Sequence, residues 1–320
     1  INMKKLDCYK IFKSYDALLI LITIFLILVM SCLSPYFLTM TNFKNVLNQS
    51  SLFIFLVIGM TFIIISGNID LSVGATIGFT GMVMSNLYYA GIPDWLCIFA
   101  GLITGLLIGL INGWLVAYVK INSFIVTLCS MTVLRGVILL VMNSKTLYGF
   151  GKLYGFIGAG DIGPINFPIL LALITVAISG FILAKTKYGN YCLFLGANEV
   201  ALSRMGVNSK KYKLWVFAFS GLLAAVAGTV VMGRLDSAEP LAGTGYEMDA
   251  IAAVILGGTV LEGGKGNIIG PFIACLILNI ISDGLTLLSI STHYQEIITG
   301  VIIVVSVLIS SRDKIKRREV

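Results

Sequence analysis

The chain has 320 residues, of which 58% are hydrophobic and only 12% charged, with a formal net charge of +7 and a mean hydropathy of +0.99. So few polar side chains cannot cover a soluble globule, which excludes that class and places the chain in a bilayer.

About 20 apolar residues cross about 30 Å of hydrocarbon. In chain order, residues 1–16 form a polar segment carrying Lys4, Lys5, Lys10 and Lys13. A membrane domain over 17–311 follows, with spans predicted near 17–34, 50–66, 72–91, 95–119, 123–143 and 167–184. The stretch 185–213 (KTKYGNYCLFLGANEVALSRMGVNSKKYK) is basic and polar within an otherwise apolar chain, with the look of a handle for another protein. Spans near 214–232, 249–262, 268–288 and 295–311 come next, then a basic tail, 312–320, with Arg312, Lys314, Lys316, Arg317 and Arg318. The fold class is thus an all-α polytopic membrane protein of about ten helices. Those near 72, 249 and 268 are glycine-rich with Asp or Lys at their edges, the pattern of broken or re-entrant segments.

The positive-inside rule puts the N-terminus, the 185–213 loop and the tail in the cytoplasm, and six spans before the loop with four after it return the chain to that side each time. The first apolar run is long and leads into Ser34-Pro35-Tyr36-Phe37 rather than a small-residue cleavage site, so it is expected to remain as a helix.

Six cysteines (Cys8, Cys32, Cys97, Cys129, Cys192, Cys275) are scattered without a CxxC pair and read as packing residues, and His293 has no ligand cluster around it, so no metal is expected. Gly158-Ala-Gly160-Asp-Ile-Gly163 matches a dinucleotide fingerprint literally, but Pro164 follows and no βαβ unit surrounds it, which makes it a loop. In the 257–266 stretch Lys265 precedes Gly266 instead of Ser or Thr, so no phosphate-binding loop is present either. Gly101, Gly105, Gly109 and Gly113 recur every fourth residue and line one helix face, as close packing within one protomer requires.

The candidates for function are polar residues stranded in apolar surroundings: Asn68, Asp70, Asn112, Arg135, Asp249, Lys265, Asn279 and Asp283. Asp70, in Ser66-Gly-Asn-Ile-Asp-Leu-Ser-Val-Gly74, stands between two apolar runs with Ser72 as a possible N-cap, the arrangement of a helix break. These residues leave open an ion-coupled carrier using Asp70 and Asp249, or a membrane protein of purely structural role.

Gly67-Asn-Ile-Asp-Leu-Ser-Val-Gly74, Asn112-Gly-Trp-Leu-Val-Ala117, Phe124-Ile-Val-Thr-Leu128, Met131-Thr-Val-Leu-Arg-Gly136 and Gly196-Ala-Asn-Glu-Val-Ala201 with Gly206-Val207 resemble the permease subunit of ribose-type sugar ABC importers. Ser220-Gly-Leu-Leu-Ala224, the 242–253 stretch, Gly257-Gly258, Gly263-Gly-Lys-Gly266 and Tyr294-Gln295 continue the match in the family's order. The resemblance implies a multi-pass subunit of the cytoplasmic membrane that pairs with a second copy or a close paralogue. Its implied partners are two ABC ATPase subunits, an extracytoplasmic solute-binding protein and a small sugar-like solute. It implies no catalytic site and no cofactor on this chain, ATP and Mg being used by the partner. It also implies that Gly189, Leu195, Gly196, Asn198, Glu199, Ala201, Gly206 and Val207 couple to the ATPase. Asn68, Asp70, Asn112, Phe124, Thr127, Asp249 and Asn279 are the candidate translocation residues.

Overall fold

The computed structural model describes residues 15–291 and, beyond them, 293–295, 297, 298, 300, 301 and 304. The basic N-terminal residues with Cys8, most of the predicted 295–311 span and the 312–320 tail lie outside the described residues. The elements are α1 (Tyr15–Leu33), α2 (Met40–Ile65), α3 (Val73–Tyr89), α4 (Asp94–Ala117), α5 (Ser123–Val141), β1 (Leu147–Tyr148), α6 (Lys152–Ala159), β2 (Asp161–Ile162) and β3 (Ile165–Asn166). They continue with α7 (Phe167–Lys185), α8 (Lys187–Arg204), α9 (Ser209–Leu235), β4 (Ser237–Ala238), α10 (Tyr246–Leu256) and α11 (Ile269–Leu287).

Among the described residues, seven helices are long and apolar enough to cross a membrane: α1, α2, α4, α5, α7, α9 and α11. Each of the nine spans predicted before residue 290 falls on a helix, with three corrections. α2 starts at Met40 instead of 50, because Thr39 caps it by accepting from Asn42 N at 3.3 Å and its first two turns are polar, which hydropathy does not register. α9 takes over 209–213 from the predicted loop, capped by Asn208, whose Oδ1 accepts from Lys211 N. α10 covers 246–256 rather than 249–262, and its 11 residues rise only about 16 Å, half a bilayer. The Gly158–Gly163 stretch is the end of α6 followed by a β2–β3 hairpin turning at Gly163, rather than a plain loop.

Lipid tails are as apolar as the side chains, so helix association here rests on close packing more than on water exclusion. The glycine stripe of α4 shows how: Gly105 abuts Gly221 and Ala225, and Gly109 abuts the backbone of Phe217 and Ala218, so α4 and α9 touch main chain to main chain within one protomer. α2, buried along most of its length, forms the centre, packed by α9, α7, α11 and α10. Trp95 and Trp114 project outward near the two ends of α4, 19 residues or roughly 28 Å apart, which matches the hydrocarbon thickness.

The two ends of the bundle differ. One gathers the 66–72 break, the α4–α5 turn, α8 and the 257–268 loop, with Lys120, Lys185, Lys187, Arg204, Lys210, Lys211 and Lys265. The opposite end carries α6, the β2–β3 hairpin and the antiparallel β1–β4 pair.

Candidate functional site: a cavity among three helices and a glycine junction

Two irregular segments enter the bundle from opposite ends and meet. From the basic end, residues 66–72 lead to the N-terminus of α3; from the other, 239–245 lead to the N-terminus of α10. Gly74 and Gly78 of α3 lie directly against the main chain of Gly243 and Ala242, and Gly243 and Gly245 have φ of +72° and +84°, a backbone that glycine adopts without penalty.

Irregular backbone at this depth must have its polar groups satisfied, and that is what the stranded charges do. Asp70, 1% exposed, accepts from Ser72 N at 2.9 Å, from Ser72 Oγ at 2.6 Å and from Ser220 Oγ at 3.4 Å. Asn112 Nδ2 donates to Ser72 Oγ at 2.9 Å. Ser72 therefore occupies the N-cap position of α3 without capping it; its hydroxyl serves Asp70 instead. Arg135 Nη1 donates to Pro240 O at 3.2 Å and Ala242 O at 2.7 Å, holding the second irregular segment from α5. Asn68 Nδ2 is bound to Ser66 O and Ser66 Oγ.

The predicted translocation residues fall into two groups. Asn68, Asp70, Asn112 and Thr127 cluster at the start of α3, where Thr127 Oγ1 donates to Ser123 O and, at 3.4 Å, to Ile69 O, while Phe124 projects outward on α5, 48% exposed. Asp249 and Asn279 lie apart from them, on a cavity of about 80 Å³ among α2, α10 and α11. Gln49 and Ser282 add polar atoms to its wall, and Phe53, Val57, Ala253, Cys275 and Leu278 make the rest apolar. Asn279 Nδ2 donates to Cys275 O at 2.8 Å. Above the cavity Asn42 Nδ2 donates to Asp283 Oδ2 at 2.8 Å. Sequence reading missed Asn42, Gln49 and Ser282; the first two lie on the polar turns of α2 that a span starting at 50 leaves out. A wider groove of about 410 Å³ between α4 and α5 has walls of Ile, Leu and Val, with Asn112, Ser130 and Cys129 its only more polar side chains.

The predicted coupling residues all lie on α8 and its exit. Thr186 caps α8 by accepting from Gly189 N, and Gly189 and Leu195 are buried. α8 is broken at Asn198, whose φ of −164° and ψ of 95° are extended; its Oδ1 accepts from Ala201 N at 2.9 Å and so caps a second, shorter helix. Glu199 is ion-paired with Lys213 at 2.7 Å, the two side chains being 42% and 13% exposed, so it is tied to α9 instead of standing free. Val200, Ala201, Arg204 and Met205 are the outward surface of that second helix, and Gly206, with φ of +81°, and Val207 make the turn into α9. Burial pushes the Cys192 thiol, on the inner side of α8, up to about 12, a hydrogen bond from Tyr188 opposing the shift.

Gly196 is the contact point. Its Cα faces Ile65 O at the end of α2 and Gly264 N in the loop after α10, while Gly263 packs on both Gly67 and Gly196. Gly264 N donates to Ile65 O at 2.8 Å. Three glycine motifs far apart in sequence thus form one backbone-to-backbone junction, which joins α8 to the chain just ahead of α3 and just after α10.

Over residues 42–307 the chain matches the family described as branched-chain amino acid transport system / permease component. It is 41% identical to the ribose import permease protein RbsC of Haemophilus influenzae, covering 92% of this chain and 91% of that protein. Identity is 38% to the ribose import permease protein RbsC of Bacillus subtilis, covering 90% of each chain. The D-allose transport system permease protein AlsC of Escherichia coli is 37% identical, over 88% of this chain and 87% of that one.

Proposed function

This chain belongs to the branched-chain amino acid transport system / permease component family and is the multi-pass membrane subunit of an ATP-driven sugar importer whose ATP is hydrolysed by a separate subunit; we propose that its cargo is a ribose-like aldose. The observation that carries the cargo is the identity of about 40% to ribose permeases from two distant bacteria over nine-tenths of the chain. The cavity fits the chemistry, since Gln49, Asp249, Asn279 and Ser282 offer groups for sugar hydroxyls against an apolar wall that suits the C–H face of a ring.

In this reading two copies pair, the basic end faces the cytoplasm, and a solute-binding protein delivers sugar to the opposite end. The ATPase grips the second half of α8. Closure of the ATPase dimer moves α8, and the glycine junction passes that motion to α3 and α10 together, opening the Asp249 cavity to one side and then the other. Affinity resides in the binding protein, so a sparse polar site is sufficient. An ion-coupled carrier would use Asp70 as a titrating group, whereas Asp70 is enclosed by Ser72 and Ser220 as part of the helix break.

The test is uptake of labelled ribose into proteoliposomes holding this chain with its co-expressed ATPase and binding protein, in competition with allose, xylose and arabinose. ATP-dependent uptake displaced best by unlabelled ribose is expected. Displacement best by another sugar would overturn the cargo, and uptake without the ATPase would overturn the mechanism.

A further inference from the structure

We propose that Glu247 is a second acceptor for Arg135, engaged when α3 and α10 shift past α5, so that the two side chains form a latch holding the shifted state. This rests on the reading above in which the glycine junction moves α3 and α10 together. The observation that calls for it is an unused carboxylate oxygen. Glu247, in the first turn of α10, is only 9% exposed. The backbone amides of Glu247 and Gly245 support its carboxyl group, as does the charge of Arg135 from a distance, yet its Oε2 has no hydrogen-bond partner. A carboxylate oxygen left bare inside a bundle costs free energy that a cation brought within reach recovers.

Arg135 is placed to be that cation. Glu247 Oε2 lies against Gly74 and Arg135 Nη1 against Gly78, four residues along the same face of α3. The two groups thus stand about 6 Å apart along the helix axis, and among the described residues no ion pair joins them. In this state the guanidinium is spent on Pro240 O and Ala242 O. A shift of α3 and α10 along α5 by less than one turn, toward the end that carries α6, takes those carbonyls away and brings Glu247 to the guanidinium, which exchanges two neutral acceptors for a charged one. A push from the ATPase at the basic end has this direction.

The experiment uses two cysteine pairs in the full chain, reconstituted with its ATPase and binding protein, oxidised either without nucleotide or after trapping with ATP and vanadate, and read by mass spectrometry of linked peptides. Ile69→Cys with Ser123→Cys reports the shift itself, because Ile69 N and Ser123 Oγ are 3.3 Å apart between the chain just ahead of α3 and the start of α5. Arg135→Cys with Glu247→Cys reports the approach. The expected result is a 69–123 link that is lost on trapping and a 135–247 link that is gained. Loss of the first without gain of the second overturns the latch and leaves the shift standing. A 135–247 link already formed without nucleotide overturns the exchange, and a 69–123 link unchanged by trapping overturns the shift and the latch with it. Because the cysteines remove both charges, Glu247→Gln, which keeps the shape of the side chain, is measured beside them. It should lower the sugar carried per ATP hydrolysed about tenfold, with Glu247→Asp restoring part of the loss; a Glu247→Gln protein with the wild-type ratio refutes the proposal.

Discussion

Replacing Gly196 with alanine adds one methyl group at the point where α8, the end of α2 and the loop after α10 meet. That methyl would land on Ile65 O and Gly264 N, both main-chain atoms, so no side-chain rotation can make room. Overpacking of this kind costs about 1–3 kcal/mol, and loss of the Gly264 N to Ile65 O hydrogen bond adds about 1 kcal/mol, offset by about 1 kcal/mol of better helix propensity in α8. The net of about 1–3 kcal/mol shifts α8 from docked to undocked by roughly 5–150-fold. In the proposed mechanism the junction carries the motion, so the expected result is a lower ratio of sugar transported to ATP hydrolysed in proteoliposomes, with ATPase binding retained through the unchanged outer face of α8. Gly180→Ala on α7, where an added methyl meets nothing within 4 Å, is the control and should transport normally. A Gly196→Ala protein with the wild-type transport ratio and an unshifted melting temperature would refute the reasoning.

Gly109→Leu should abolish folding, since the side chain would collide with the backbone of Phe217 and Ala218, whereas Gly136→Leu on α5, at an exposed glycine whose added Cβ meets nothing within 4 Å, should be recovered from membranes at normal yield; equal yields would contradict the α4–α9 seam. Asp249→Asn and Asn279→Ala should each lower ribose uptake roughly tenfold, about the worth of one hydrogen bond to the sugar, while co-purification of the ATPase is unchanged; undiminished uptake would remove the cavity from the pathway. Cys192, with its thiol at about 12, should have a thiolate fraction near 10⁻⁴ at pH 8 and resist iodoacetamide until the protein is denatured, which mass spectrometry of labelled peptides reads directly. Between pH 9 and 12 the unfolded chain holds fewer protons at this thiol than the native one, so its contribution to stability is full below pH 9 and is lost as pH rises; Cys192→Ala should flatten that decline in melting temperature, and an unaltered slope would refute the assignment.

Much of this protein was legible along the chain. Hydropathy located nine helices, because a span must keep about 20 residues out of water wherever it sits in the bundle, and the four-residue glycine repeat announced a helix that touches another along its backbone. The basic stretch at 185–213 stood out for the same reason that the spans did, and the Ser66–Gly74 segment was readable as a helix break because a carboxylate between glycines fits nothing else in hydrocarbon. Other features depended on contacts that a linear pattern does not encode. The polar start of α2 reads as a loop by hydropathy, and beyond the Thr39 cap it is the burial of Asn42 against Asp283 and the place of Gln49 on the wall of the Asp249 cavity that pack it into the bundle. Asp70 and Arg135 read as polar residues stranded in apolar surroundings; that they bind the backbone of the two segments that enter the bundle is visible only in three dimensions. Gly67, Gly196 and Gly263 bear no side chains whose chemistry could pair them in advance. Their meeting is decided by main-chain geometry, since only the folded bundle brings those three stretches of backbone close enough that nothing larger than hydrogen fits between them.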